Sequence, residues 1–582
     1  MTDLRTRPTL RGSFGMVAST HWLASQSAMA ELEAGGNAFD AAVAGAFVLH
    51  VVEPHLNGPA GEVPAVFATA GDPNPHVLCG QGTAPAGATR EHHLSLGLDL
   101  VPGTGLLAAA VPGAVDAWLM LARDHGTRGI RDLLSYAIGY ARHGHPILPA
   151  AAETIQRVEQ LFREHWPTSA ARWLPVPRPW QPVTNHEHAA TLERLVAEGE
   201  AAGSGREAQY DGARRAWREG FVAEAVDAFV QRPVRDSSGA DHAGVLTGAD
   251  LAGWSASYEA PVRHRYRDVE VAKTDLWGQG PVLLQSLAML EGLPADPTEP
   301  DGIHTIVEVL KLALADRDAW YGDGSPVSVG ELLDPAYVEA RRALVGDRAS
   351  FEPRPGAPGG RMPVLPSHVL SGTSAAAGAG LGEPAVEWGD TCHLDVVDRW
   401  GNIISATPSG GWLQSSPTIP ELGFCLGTRL QMTWLDEGLP ATLTPGRRPR
   451  TTLSPTLVLR DGVPVLACGT PGGDQQDQWQ LPFLLHHLVH GRELQEAVEA
   501  PAFHTTSMVS SFYPRETHPG ELVVEDRVGA RVIAALTARG HRVVRAGEWT
   551  LGRLSAVGRD PDTGTLTGAA TSRGGNGYAV GR

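Results

Sequence analysis

Cysteine is scarce in this chain of 582 residues, and the few thiols are scattered. The four cysteines, Cys79, Cys392, Cys425 and Cys468, lie far apart in the sequence and form no Cys-x-x-Cys pair. Disulfide frameworks and structural zinc sites both need paired or closely spaced cysteines, so neither is expected. The distribution favours a reducing compartment, and we expect a cytoplasmic protein.

Long apolar segments are lacking as well. The most apolar run, residues 41–52, is interrupted by His50 and falls short of the roughly 20 residues that a membrane helix needs. The first residues mix charges and contain no apolar core of a signal peptide. We therefore expect no membrane partner.

Basic residues are fewer than acidic residues. The chain has 47 Lys and Arg against 65 Asp and Glu, a formal net charge of −18 at pH 7. An acidic surface repels phosphate backbones, so nucleic-acid binding is not expected. The 42% of hydrophobic residues is typical of a globular chain and argues against disorder.

Periodicity predicts helices in the first two thirds of the chain and hairpins in the last third. Residues 353–387, rich in Pro, Gly, Ser and Ala, lack periodicity and are interpreted as an exposed, mobile linker. Strands joined by tight turns around one helix favour an α+β layered domain. The predicted strands are 15–19, 393–398, 403–405, 457–460 and 464–467, and the predicted helices are 23–33, 39–52, 114–123, 151–163, 303–320 and 480–490.

The linker ends at a residue that is suited to a chemical role. Thr391 stands where the chain could be cut, directly before a strand with a buried pattern. A threonine hydroxyl needs a base, and the α-amino group of a new terminus, with a pKa of about 7.7–8.0, can serve as one. Gly472 and Gly473 follow a predicted strand and can offer backbone N–H groups to an oxyanion. The pattern predicts an N-terminal nucleophile.

Short motifs along nearly the whole chain occur in the order typical of one enzyme family. They are Gly15-Met-Val-Ala-Ser, Gly35-Gly-Asn-Ala-Phe-Asp-Ala-Ala, Val52-Glu-Pro-His, Ala110-Val-Pro-Gly, Asp390-Thr-Cys-His-Leu-Asp-Val-Val-Asp, Arg399-Trp-Gly-Asn, Pro445-Gly-Arg-Arg-Pro-Arg-Thr-Thr-Leu-Ser-Pro, Gly469-Thr-Pro-Gly-Gly and Leu494-Gln-Glu-Ala-Val-Glu-Ala-Pro-Ala-Phe-His. The set resembles the γ-glutamyltransferase family of N-terminal-nucleophile hydrolases.

This resemblance implies a four-layered αββα sandwich, an α+β fold. It further implies autoproteolysis before Thr391, giving a large fragment 1–390 and a small fragment 391–582. The two fragments together form one fold and can pair into a heterotetramer. No cofactor and no metal are implied, and the partner is a small-molecule amide or acyl substrate.

The resemblance also assigns roles to individual residues. Thr391 matches the nucleophile that forms an acyl-enzyme, and Ser409 matches a second hydroxyl residue that assists it. Gly472 and Gly473 match the oxyanion-hole glycines. Thr451 and Thr452 fall on a pair of serines that help to hold the substrate.

The residues that grip a glutamyl group differ from the family pattern. Gln81 replaces the Arg that binds the α-carboxylate, which removes a charge-assisted pair. Gly411 replaces an Asn, and Arg429 stands in the acidic stretch that holds the glutamyl ammonium, which it would repel. These departures resemble the branch that includes oxamate amidohydrolase. We expect Arg429 to receive the carboxylate of a short acyl group such as oxalyl.

The sequence thus predicts an autoprocessing amidohydrolase or acyltransferase that cleaves a small acyl amide and does not perform ordinary glutathione cleavage. One alternative is a hydrolase that removes an oxalyl-type group by C–C cleavage in a secondary-metabolite pathway. Another is an uncleaved, non-catalytic homologue that acts as a binding protein, although Thr391, Ser409 and the glycine pair all persist. A metal-dependent hydrolase built on His486 and His490 lacks further ligands.

Overall fold

The computed structural model describes residues 6–368 and 391–582. Two seven-stranded sheets form its centre. In spatial order, sheet 1 consists of Leu10–Gly12, Leu566–Ala570, Ser555–Arg559, Val463–Gly469, Thr456–Arg460, Val269–Lys273 and Val262–Tyr266. Sheet 2 consists of Tyr578–Gly581, Gly15–Ser19, Leu394–Asp398, Ile403–Ala406, Val63–Thr69, Asp72–Gly80 and Ser257–Glu259. All pairings within both sheets are antiparallel.

The sheets face each other across an apolar layer that includes Val66, Val397, Leu457 and Val557. A helical layer covers the outer face of sheet 2, with helices Trp22–Glu33, Ala38–Val52, Ala114–His125, Ile130–His143, His186–Ala202, Arg206–Arg218 and Phe221–Val230. A second helical layer covers sheet 1, with helices Pro281–Leu290, Pro300–Trp320, Pro335–Arg342, Gln476–Leu484, Leu494–Glu499 and Ala530–Ala538. The expected four-layered αββα sandwich is confirmed.

Shorter elements connect these layers. The remaining helices are Arg90–Ser95, Pro149–Arg157, Glu159–His165, Pro167–Trp173, Gly248–Ala252 and Val329–Leu332, with 3-10 turns at Pro358–Gly360, Arg429–Met432, Gly473–Gln475 and Asp526–Val528. A small sheet joins Phe503–Thr505, Glu521–Val524 and Arg542–Arg545, and two further pairs join His145–Pro146 to Pro182–Val183 and Val234–Arg235 to Asp241–His242. In the described ranges, every helix is too short or too polar to cross a membrane.

Most predicted elements are present, with two differences. The helix expected over 151–163 is broken at Val158, whose buried side chain packs with Phe162 and Trp166. The helix expected over 480–490 begins earlier, at Gln476, and passes into a π-helical turn at Leu485–Val489. It contains Pro482, which has no N–H to donate within the helix. Part of the predicted linker, 369–387, lies outside the described residues.

The pairing register of sheet 2 places the candidate site. Thr391 pairs with Ser409, which in turn pairs with Glu62. The next strand pairs Val63 with Gly80, so Gln81 follows at the position opposite Glu62. Because residues in register share a face of the sheet, four polar residues line up across one sheet end.

Candidate active site

Thr391 and Ser409 are the centre of the site. Thr391 is 1% exposed, and its Oγ1 lies 3.3 Å from Ser409 Oγ. The ring of His393, two residues further along the chain, packs against Gly469 of sheet 1. Because alternate residues of a strand share a face, Thr391 and His393 both lie on the face of sheet 2 that points toward sheet 1. The fold therefore brings Thr391, the predicted nucleophile, close to Ser409, its predicted assistant.

Ser409 is held from the other side by a charged pair. Arg429 Nη2 donates to Ser409 Oγ at 3.0 Å, and the same nitrogen is ion-paired with Glu62 Oε1. Glu62 and Ser409 also exchange both backbone hydrogen bonds, at 2.9 and 3.0 Å. Gly410 has φ +75°, and a Cβ there would lie 2.6 Å from Glu62 Oε2. Glycine is therefore needed for the carboxylate to lie against this turn.

An aromatic patch lies beside the guanidinium. Arg429 stands 5.5 Å from the ring centroid of Trp412, and its Nη1 contacts Met432 Sδ at 3.4 Å. Trp412, Met432 and Phe512 form one buried cluster. A Cβ on Gly473 would lie 2.8 Å from the Phe512 ring. The patch thus connects Arg429 to the predicted oxyanion loop.

Gly472 and Gly473 have backbone conformations that favour glycine. Gly472 has φ +126° and Gly473 has φ +53°, and a Cβ on Gly472 would overlap the ring of Trp479. Non-glycine residues rarely adopt such φ values. The backbone can therefore approach a ligand here without a side chain in the way.

A buried ion pair supports this loop from below. Asp474 is paired with Arg317 and accepts hydrogen bonds from the backbone N–H and hydroxyl of Ser511, at 2.8 and 2.5 Å. Burial by itself would raise the pKa of Asp474, but Arg317 and Arg450 outweigh it and lower the pKa. Asp474 is thus held as a carboxylate directly after Gly473.

Thr451 and Thr452 are fully buried. The N–H of Thr451 donates to the carbonyl of Trp277 at 2.9 Å, whereas Thr452 Oγ1 has no hydrogen-bond partner in the part of the chain that the structure describes. The preceding Arg450 donates to Ser511 Oγ at 2.7 Å, which links this segment to Asp474. Burial lowers the pKa of Arg450 to about 10.

Gln81 is 1% exposed, and among residues 6–368 and 391–582 neither its amide oxygen nor its amide nitrogen has a hydrogen-bond partner. Such buried amides are uncommon, because burial without a partner costs free energy. The structure thus has a neutral amide where the resemblance of the sequence implies a guanidinium. Its use by a substrate stays a prediction.

Cys392 points away from this site. Its Sγ donates to Glu53 Oε2 at 3.1 Å in the core under the helices of sheet 2. Burial and the neighbouring Glu53 raise the pKa of Cys392 far above its usual value. The residue is therefore a buried thiol and not a second nucleophile.

Sequence reasoning missed Glu62 and the hydrogen bonds that hold the strand after Thr391. His393 bonds Thr407 Oγ1 and Asp395 Oδ1, both at 2.9 Å, and Ser555 Oγ donates to Asp395 Oδ2 at 2.8 Å. One signal for Glu62 was available, since an acidic residue directly precedes the apolar run 63–68. Its partner could not be read from the chain alone.

Within residues 6–368 and 391–582, one cluster has the spacing of metal ligands: His304, Glu308 and His541, with ligand atoms within 4.8 Å of one another. Lys311 Nζ and Arg354 Nη2 donate to Glu308 at 2.7 and 3.2 Å. The carboxylate is therefore already balanced by side-chain cations. The cluster belongs to the helical layer on sheet 1, apart from Thr391.

Comparison with known proteins identifies the family. The family model described as gamma-glutamyltranspeptidase matches residues 24–581. An acylase ACY 1 proenzyme from a Pseudomonas species (strain SE83) is 31% identical, over 97% of this chain and 92% of its own length. An oxamate amidohydrolase proenzyme from Klebsiella pneumoniae is 29% identical, over 97% of this chain and 98% of its own.

Solved structures agree with these relatives. Two structures of a protein called LmbA2991 are 58% identical and cover the whole of both chains, with TM-scores of 0.96 and 0.95. A cephalosporin acylase from Bacillus halodurans is 27% identical, with a TM-score of 0.83 over 99% of this chain and 97% of its own. The chain therefore belongs to the γ-glutamyltranspeptidase family and is an enzyme of its N-terminal-nucleophile hydrolase and acyltransferase class.

Proposed function

We propose that this chain cuts itself before Thr391 and then uses Thr391 to release a small acyl group from an amide. The supporting observation is the buried pair of oxygens, Thr391 Oγ1 and Ser409 Oγ, 3.3 Å apart. The fragments 1–390 and 391–582 then remain together, because strand Leu394–Asp398 of the small fragment pairs with Gly15–Ser19 of the large one.

The chemistry proceeds through an ester. The α-amino group of Thr391 takes the hydroxyl proton while Oγ1 attacks the substrate carbonyl carbon. Gly472 and Gly473 supply N–H groups to the developing oxyanion. The tetrahedral intermediate collapses, the C–N bond breaks, and the leaving amine takes the proton. Water or an acceptor amine then attacks the ester, which returns the hydroxyl to Thr391.

The pocket does not suit a γ-glutamyl group. Gln81 offers no cation to the α-carboxylate of a glutamyl group, so the charge-assisted pair that would hold that carboxylate is missing. A small acyl group that needs no cation at position 81 fits better. The Klebsiella relative is an oxamate amidohydrolase and the Pseudomonas relative an acylase, which supports amides of this kind.

The first experiment is intact mass of the purified protein beside a Thr391→Ala control. Self-cleavage at the nucleophile predicts fragments of roughly 41 and 20 kDa from the 61.6 kDa chain, with Thr391 at the start of the smaller one. The control must stay whole. Cleaved enzyme is then assayed for ammonia release from oxamate and from γ-glutamyl amides.

The same experiment separates the alternatives. A single uncleaved species, inert toward every amide, would support a non-catalytic binding protein. A cleaved enzyme that does not hydrolyse amides but removes an oxalyl group by breaking a C–C bond would support C–C hydrolysis.

A further inference from the structure

We propose that Glu62 is a positioning residue that holds Arg429 against Ser409, so that the guanidinium orients the Ser409 hydroxyl instead of receiving a substrate carboxylate. This inference rests on the proposed function, since it takes Thr391 as the nucleophile. The Glu62–Arg429 ion pair, which contacts Ser409, thereby has a defined task, and the role that the sequence predicts for Arg429 is revised.

Arg429 is already engaged by residues of the protein. Its Nη2 donates to Ser409 Oγ at 3.0 Å and is ion-paired with Glu62. Its Nη1 contacts Met432 Sδ, and the face of its guanidinium lies over Trp412. The side chain is only 2% exposed. A substrate carboxylate would find a neutralised and enclosed guanidinium.

Electrostatics also disfavour a substrate carboxylate at Arg429. To bind a carboxylate in the ordinary bidentate way, Arg429 would have to give up Glu62 or accept two anions side by side. Breaking a buried pair leaves an uncompensated charge, which is strongly unfavourable. Two carboxylates on one guanidinium in a buried site repel each other. Both routes work against an anionic acyl group at this point.

The bond to Arg429 also decides which way the Ser409 hydroxyl points. An arginine N–H can only donate, so Ser409 Oγ is the acceptor in that bond. The Ser409 hydroxyl is then directed as a donor toward Thr391 Oγ1, 3.3 Å away. A donor at this place stabilises negative charge on Oγ1, both when the ester forms and when Oγ1 leaves again.

The backbone makes the arrangement rigid. Glu62 and Ser409 are directly paired in antiparallel register, with both backbone hydrogen bonds between them formed. The glycine at 410 lets the Glu62 carboxylate lie against the turn after Ser409. Glu62, Arg429 and Ser409 thus form a closed ring of contacts beside Thr391.

The test compares Glu62→Gln, which removes the charge but keeps the shape, with Glu62→Asp, which keeps the charge. Glu437→Gln, at an exposed position, is the matched control. Cleaved enzymes are assayed on oxamate and on pyruvamide, two amides of similar size of which only oxamate carries a carboxylate. Thermal unfolding confirms that each variant is folded.

We expect Glu62→Gln to lower kcat at least about tenfold on both amides, because small displacements of reacting groups cost up to about a hundredfold. The ratio of kcat/KM between the two amides should change less than about twofold, since that ratio reports only the differential recognition of the carboxylate. Glu62→Asp should recover part of the loss, and Glu437→Gln should behave as wild type.

If Glu62→Gln loses activity only on oxamate, through a higher KM, the inference is overturned, because Arg429 would then bind the carboxylate of the substrate. Unchanged kcat on both amides would overturn it as well. If the wild-type enzyme hydrolyses neither amide, the rate of self-cleavage tests the inference instead. That rate is measured in an Asp390→Asn precursor, because this precursor has no carboxylate on the residue before the bond that is cut. There Glu62→Gln should slow cleavage at least about tenfold, and an unchanged rate contradicts the inference.

Failure of the proposed function is recognised separately. In that case the wild-type chain itself stays whole, as Thr391→Ala does, whatever residue stands at position 62.

Discussion

Thr391 and Ser409 lie directly opposite each other at the end of sheet 2, with their side-chain oxygens 3.3 Å apart. They come from the two sides of the hairpin Leu394–Asp398 and Ile403–Ala406, and the hairpin register fixes their separation. The distance between the two hydroxyls is therefore a property of the sheet and not of a flexible loop. This relationship makes Ser409 the natural residue to vary after Thr391 itself.

Ser409→Ala should leave the fold intact and slow amide hydrolysis by about 10–100-fold, because a hydrogen-bond donor to the reacting oxygen is lost. Ser409→Thr retains the hydroxyl and should keep more of the activity. Rates of self-cleavage and of ammonia release check both variants. A Ser409→Ala enzyme with wild-type rates would show that this hydroxyl takes no part in the reaction.

Gly472→Ala should destabilise the protein and abolish activity, because a Cβ at φ +126° would overlap the ring of Trp479. We expect a cost of about 2–4 kcal/mol from backbone strain and overpacking together. Gly438→Ala is the control, since it has φ +81° and open space around it. It should show only the strain, about 1 kcal/mol. Equal losses in thermal stability for the two variants would contradict the clash with Trp479.

Local patterns in the sequence predicted the elements of this fold well, and contacts between distant segments much less well. The turn residues Gly401 and Gly462 marked the hairpins to which strands 393–398 and 464–467 belong, and the conformational freedom of Gly472 and Gly473 pointed to a backbone site. The pairing of Arg429 with Glu62 depends on the register of strands far apart in the sequence, so no local pattern reveals it. For the same reason Arg429 looked like an open cation from its sequence position, whereas the structure shows it paired and enclosed.

Arg317→Met should be among the most destabilising single changes in sheet 1's helical layer. It leaves the carboxylate of Asp474 buried without its main cation, at an expected cost of about 3–5 kcal/mol. Adding Asp474→Asn removes the stranded charge and should recover part of the stability. A thermodynamic cycle of the two single variants and the double variant measures this coupling. Additive effects would mean that the ion pair contributes nothing of its own.

Buried histidines should make the protein sensitive to acid. Burial lowers the pKa of His50, His55 and His188 to about 3 each, far below the usual value of 6.5. Between pH 6.5 and about 3 these histidines therefore bind protons in the unfolded chain but not in the folded chain. As a result, the free energy of unfolding falls as the pH falls. Each such group contributes a slope of up to about 1.4 kcal/mol per pH unit. Melting temperatures at pH 7.5, 6 and 5 should decline progressively.

The source of this decline can be assigned with single variants. His188→Gln cannot titrate, so it should flatten the dependence of the melting temperature on pH, even if it lowers stability at pH 7.5. His518→Gln, at an exposed position, is the control and should leave the slope unchanged. Because the effect is a difference in slope, it is separate from any packing defect that the substitution causes, which shifts the melting temperature equally at every pH. Parallel curves for wild type and His188→Gln would show that His188 titrates alike in the folded and unfolded states.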